Sequence, residues 1–136
     1  MSIPPTIDGA SHEDFLAIAK LDRIAWLHTG EQFIPDGEHV WRVWCEHATV
    51  LVCRGTAASN PTGDIVAALV MFPTREATLF LHKIMVHSDV RGQGIGSQLM
   101  RAALERAPRP VLLTVNPDND AAVKLYRNFG FEVRER

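Results

Sequence analysis

The segment "HSDVRGQGIGSQLM", His87 to Met100, places Gly92, Gly94 and Gly96 at every second position between an arginine and a helical run. Glycines in such a turn accept positive φ and let a ligand approach bare backbone. The helix that follows points unpaired N–H groups and the positive end of its dipole at the turn. The chemistry on offer is anion binding, and phosphate is the best fit. Two common phosphate loops fail on spacing. A P-loop needs Lys then Ser/Thr after its last glycine, where this chain has Ser97 and Gln98. A dinucleotide fingerprint needs its third glycine one residue later, in the first strand–helix turn of a doubly wound sheet.

The chain around this turn has 136 residues, enough for one well-buried core and short of the usual size for two domains. A net charge of −2 argues against bulk binding to nucleic acid or to an anionic membrane. No apolar run approaches the roughly 20 residues needed to cross a bilayer, and "MSIPPTIDGA" lacks the basic start and long apolar stretch of a signal peptide. Cys45 and Cys53 form no close-spaced ligand or redox pair and read as reduced thiols of a cytoplasmic protein. The histidines show no H-x-x-x-H or H-x-H spacing, so no metal site is expected.

The elements that must position the turn follow from periodicity. Ile3–Asp8 reads as a short first strand, confined to an edge or its entry by Pro4 and Pro5. Ser11 and Asp14 resemble a helix start, and Phe15, Ile18, Ala19, Ala25 and Trp26 keep near-helical spacing up to Leu27. A second short helix covers about Gly37–Glu46. "ATVLVCR" and "DIVAALVMF" form a hairpin across a turn-rich segment, and "ATLFLHKIMV" is a third long strand. Then strands and helices alternate: the glycine turn, a helix from about Ile95 to Ala107, the buried strand "VLLTV", the helix "DNDAAVKLYRNFG" capped by Gly130, and "FEVRER" as the start of a last strand. A meander followed by two strand–helix units makes one mixed α/β (α+β) domain over residues 1–136.

Two segments carry a family resemblance. Arg91-Gly92-Gln93-Gly94-Ile95-Gly96 matches Gln/Arg-x-x-Gly-x-Gly/Ala, the pyrophosphate loop in motif A of the Gcn5-related N-acetyltransferases (GNAT). "NDAAVKLYRNFGF" resembles that family's N-x-x-A-x-x-L-Y-x-x-x-G-F, at Asn119, Ala122, Leu125, Tyr126, Gly130 and Phe131. The match runs from about Thr78 to Phe131; before it only the order of elements agrees.

The resemblance implies a central mixed sheet flanked by helices, acetyl-CoA as cosubstrate, and a primary amine of a small molecule or protein as acceptor. It implies that the backbone from Arg91 to Ser97 holds the CoA pyrophosphate, through Gly92, Gln93, Gly94, Ile95 and Gly96. The pantetheine arm would run along Ile84, Met85 and Val86, one of whose N–H groups would serve the thioester oxyanion. Asn119 would contact the CoA arm, and Tyr126 would protonate the departing thiolate. The other account of Tyr126 is an amphipathic core residue. His82 is the candidate base that deprotonates the amine: it sits four residues before Val86, where the serotonin N-acetyltransferase branch has a histidine. A space-filling strand histidine is the alternative. Glu31, Glu38 and Glu76 could orient an ammonium or simply be solvated. Trp41 and Trp44, three apart on one helix face, could line the acceptor pocket or pack the core.

GNAT domains follow the sixth strand with a seventh, for which this sequence leaves no room. A homodimer completing that edge is the expectation. A degenerate GNAT that binds acetyl-CoA as a sensor or assembly module, without turnover, is the rival.

Overall fold

The computed structural model describes residues 6–25, 34–55 and 64–133. Its elements in chain order are strand β1 (Thr6–Gly9), a 3-10 turn (His12–Asp14), helices α1 (Phe15–Ala25) and α2 (Glu38–His47), and strands β2 (Thr49–Arg54), β3 (Ile65–Pro73) and β4 (Leu79–Val86). A second 3-10 turn (Ser88–Val90), helix α3 (Ile95–Arg106), strand β5 (Val111–Leu112) and helix α4 (Asp120–Asn128) complete it. The five strands form one sheet in the order β1-β2-β3-β4-β5, with the first four antiparallel and β5 parallel to β4.

Alternation along the strands sorts the core onto the two sheet faces. Val50 and Val52 of β2 meet Ala68, Val70 and Met85 under Ile18, Leu21 and Trp41 of α1 and α2. Leu51 and Cys53 point the other way and join Leu69, Met71 and Leu81 under Leu99, Met100 and Ala103 of α3. Covered on both faces, β3 is apolar and buried from Ile65 to Met71, the pattern expected of a central strand.

The helix ends follow local chemistry. Asp14 reaches back to the Ser11 N–H (2.8 Å) and hydroxyl (3.1 Å) and takes an Arg54 guanidinium bond at 2.7 Å. Burial works to raise the Asp14 pKa, but the Ser11 and Arg54 bonds outweigh it and leave it below the usual carboxylate range. Asn119 caps α4, its side chain accepting the Ala122 N–H at 3.1 Å. At the far end Gly130 has φ +92°. Its N–H donates to the Arg127 carbonyl, and the Phe131 N–H donates to that of Tyr126. This is a Schellman closure, and its usual apolar contact is the edge-to-face pair of Tyr126 and Phe131, with centroids 5.9 Å apart.

Two expectations are corrected here. No strand forms over Phe131–Val133, where the Phe131 N–H closes α4 and the described residues beyond it join no ladder; residues 134–136 lie outside the described residues. The strand expected over "VLLTV" shrinks to Val111–Leu112, paired with β4 only at Leu79 and Phe80. The first strand and first helix, expected over 3–8 and up to Leu27, are described from Thr6 and as far as Ala25; Trp26 and Leu27 lie outside the described residues.

Candidate active site

The glycine turn is the left-handed entry that its spacing predicted. Gly92 (φ +80°) and Gly94 (φ +78°) are left-handed. Gly94 is the residue that opens α3, and its carbonyl accepts the Gln98 N–H at 3.0 Å. The amides of Ile95, Gly96 and Ser97 occupy the first turn, where a helix has no carbonyl of its own to offer them. A Cβ placed on Gly92 or Gly94 meets no atom within 4 Å, so open space faces the bare backbone. Gly96 differs from expectation. It lies inside the helix without a positive φ, and its Cβ position faces the Val86 side chain at 3.7 Å.

Arg91 ties this turn to the rest of the fold. Its Nε donates to the Val86 carbonyl at 3.3 Å, and its Nη2 donates to the Ala25 carbonyl at the C-terminus of α1. A guanidinium suits that helix end on both hydrogen-bonding and dipole grounds. The arginine therefore fixes where the glycine backbone stands relative to the end of β4.

Beside the turn, β4 and β5 part company. Ile84, Met85 and Val86 pair with Leu69, Ala68 and Ala67 on the β3 side, while the β5 ladder has stopped at Phe80. The His87 N–H donates to Val66 on β3, so strand alternation sends the backbone groups of Met85 the same way. Those of Ile84 and Val86 face the gap that β5 leaves. Tyr126 and Asn119 stand on α4, beyond β5. The Tyr126 ring packs on the α3-side core and lines, with Leu113, Val115, Phe129 and Phe131, a groove of about 780 Å³ along the outer edge of β5.

His82 belongs to the other side of the sheet. The β3–β4 register runs from Val70↔Lys83 to Met71↔Leu81, which leaves His82 as the extra residue of a bulge. Two consecutive side chains, His82 and Lys83, therefore turn toward α1 and α2. Lys83 is buried, donates to both Asp22 oxygens at 3.0 Å and to the Ile34 carbonyl at 3.3 Å, and forms an ion pair with Asp36 Oδ2 at 2.9 Å. Asp22 is fully buried and also accepts the Trp41 indole N–H at 3.0 Å and the Asp36 backbone N–H at 2.8 Å. His82 Nε2 lies 3.2 Å from Asp36 Oδ2. Buried charge is tolerable only when paired and hydrogen-bonded, and this network meets that condition.

Aromatic rings wall the histidine. Trp44 stands edge-on to it at 5.0 Å between centroids, and Phe72 lies 5.8 Å away. The tryptophan pair thus divides its roles: Trp41 is core, held by its bond to Asp22, while Trp44 borders His82. Glu38 is exposed and 3.8 Å from Arg23, and Glu76 is exposed in the β3–β4 turn; Glu31 lies outside the described residues. Burial, then the carboxylates of Asp14 and Glu46, pushes the Cys45 thiol up to about 11, and burial raises that of Cys53. Neither is a thiolate nucleophile at neutral pH.

Asp22, Asp36 and Lys83 escaped the sequence reading. The available signal was the pair of polar residues in the middle of "LFLHKIMV", an otherwise apolar strand. Regular alternation would have put them on opposite faces, and only the bulge brings them to one.

A mixed sheet whose fourth and fifth strands diverge over a glycine-opened helix is the architecture of an acyl-CoA N-acyltransferase. The Acetyltransferase (GNAT) family matches residues 17–131, and the chain belongs to it. N-alpha-acetyltransferase RimI of Mycobacterium tuberculosis is 45% identical over 53 residues, which cover 38% of this chain and 34% of that protein. The chain spans about a third or less of the length of such curated relatives. Among solved structures, the ribosomal-protein-S18-alanine N-acetyltransferase of Escherichia coli superposes with a TM-score of 0.77 at 21% identity, covering 97% of this chain and 80% of that one. The acetyltransferase yncA of Salmonella typhimurium, with acetyl-CoA, gives 0.75 at 21% identity over 95% and 80% of the two chains. No helix among the described residues is long and apolar enough to cross a membrane.

Proposed function

We propose that this chain is an acetyl-CoA-dependent N-acetyltransferase that moves the acetyl group to a primary amine of a small molecule or protein by direct attack in a ternary complex. One observation carries the proposal: two left-handed glycines open α3 toward free space, next to a strand whose outward backbone β5 leaves unpaired. That cradle fits an elongated ligand with a pyrophosphate at one end. The N–H groups from Gly92 to Ser97 hold the pyrophosphate, with Gln93 and Ile95 contributing backbone, and Arg91 fixes the turn. Ile84 offers its outward N–H and C=O and Val86 its outward N–H to the pantetheine amides, the Val86 carbonyl being held by Arg91, and Met85 packs behind them in the core. Acetyl-CoA supplies the activated acyl group.

The chain's residues then have three tasks. An outward N–H of Ile84 or Val86 stabilises the charge that develops on the thioester oxygen. Tyr126 donates its hydroxyl proton to the departing sulfur; with a phenol near 10 and a thiol near 8.5 that transfer is only slightly uphill. His82 takes the proton that the ammonium must lose before it attacks. Asn119 combines its capping of α4 with a contact to the CoA arm. We further propose a cytoplasmic protein whose β5 edge is covered by a second copy of the chain, because the groove along that edge is mostly apolar and, among the described residues, no strand pairs with its outer side. Turnover of acetyl-CoA with polyamines, aminoglycosides, amino acids and peptides tests the activity. Thiol release with at least one amine is expected, and none with any would refute it.

A further inference from the structure

His82 does not stand alone, and its neighbours dictate its chemistry. An ionised carboxylate can only accept hydrogen bonds. Asp36 Oδ2 forms an ion pair with the Lys83 ammonium at 2.9 Å, and His82 Nε2 lies 3.2 Å from the same oxygen. The imidazole must then be the donor at Nε2, which in the neutral ring leaves the lone pair on Nδ1. Asp36 is itself held from two directions: its backbone N–H donates to Asp22, and Lys83 bridges the two carboxylates. The charged groups reaching His82 in this arrangement are Asp36 directly and Lys83 and Asp22 through it. Among the described residues, the ring contacts that α2 and β3 make with His82 are those of Trp44 and Phe72.

We infer that Asp36 is a positioning residue. It fixes His82 in the Nε2–H tautomer so that Nδ1 is the atom that accepts the proton of the incoming amine. The inference rests on the proposed acetyl transfer with His82 as base. During the step the proton passes from the ammonium nitrogen to Nδ1, and the nitrogen lone pair so released forms the new bond to the acetyl carbon as the C–S bond breaks. The electron pair leaves on the CoA sulfur, which takes the Tyr126 proton, and the second proton lost by the nitrogen restores the tyrosine hydroxyl. The resulting imidazolium keeps its second N–H on Asp36, whose charge compensates it. Lys83 and Asp22 act on Asp36 and not on the reacting atoms. The device is assembled by the bulge: with regular alternation His82 and Lys83 would face opposite sides and could not share one carboxylate oxygen.

Nitrogen NMR of the ring, read together with kinetics, tests the inference. Wild-type His82 should show Nε2 protonated and Nδ1 bare at alkaline pH. Asp36→Ala removes the acceptor while leaving Lys83 its Asp22 partner. It should mix the two tautomers and lower kcat about 10- to 100-fold, the scale seen when a group orienting a histidine is lost, with CoA affinity unchanged. Asp36→Asn, which still offers one oxygen to Lys83 and His82, should keep the tautomer and lose less. A wild-type ring protonated at Nδ1 overturns the inference while acetyl transfer stands. So does an Asp36→Ala enzyme with unchanged tautomer and kcat. Wild-type kcat in His82→Ala instead removes the base assignment on which the inference rests.

Discussion

The two faces of β4 are built on opposite principles. On the α3 side, the proposed CoA cradle is built from backbone: two glycines, one helix start and a strand edge, with Arg91 holding them in register. On the α1 and α2 side everything depends on side chains from distant parts of the chain, Asp22, Asp36, Trp41, His82 and Lys83, gathered by a one-residue bulge. A backbone site suits a ligand part common to all acyl-CoA chemistry, whereas a side-chain site can be re-specified residue by residue for one acceptor.

Substitutions should separate the two faces. The largest effect is expected at Tyr126. Tyr126→Phe keeps the ring on Phe131 and removes only the proton donor, so kcat should fall about 10²- to 10⁴-fold while the KM for acetyl-CoA moves far less. Unchanged turnover would return Tyr126 to the core. Next is Lys83→Met, which strands the fully buried Asp22 carboxylate. Breaking one partner of a buried pair costs about 3–5 kcal/mol, readable by urea denaturation. A loss under about 1 kcal/mol would mean that the Trp41 and Asp36 donors suffice for Asp22.

The glycines should give the smallest and most discriminating effects. Alanine at Gly94, forced to φ +78°, should destabilise by about 1–2 kcal/mol. Alanine at Gly96 meets only ordinary contact with Val86 and removes a helix glycine, so it should stabilise by up to about 1 kcal/mol. Thermal melts read both, and the same sign in the two variants contradicts the left-handed entry at Gly94.

How much the sequence disclosed follows the same division. The glycine turn, its helix and the Asn119–Phe131 helix could be read because their information is local. Fixed spacings encode a left-handed entry, a cap and a Schellman closure within a few residues of one another. Strand order in the meander was legible for the same reason, since short turns join antiparallel neighbours. The polar network could not be read. Asp22 looks like any helix carboxylate and Asp36 like any loop acid, and their burial depends on a bulge that no single residue announces. The last strand was read from β-forming residues alone.

The central claim is that the turn from Arg91 to Ser97 and the outward edge of β4 together hold CoA. Calorimetric titration of the wild-type chain with CoA, paired with its melting temperature, tests this directly. A ligand present at about 100 times its Kd adds about 2.7 kcal/mol to the stability of a native state it binds alone. For a domain of this size that raises Tm on the order of 5–15 °C, and the gain should be largely lost when Gly94→Val puts a side chain into the open space over the turn. NAD and ATP should do much less. No heat and no shift with millimolar CoA, or full CoA affinity in a folded Gly94→Val variant, would contradict the account.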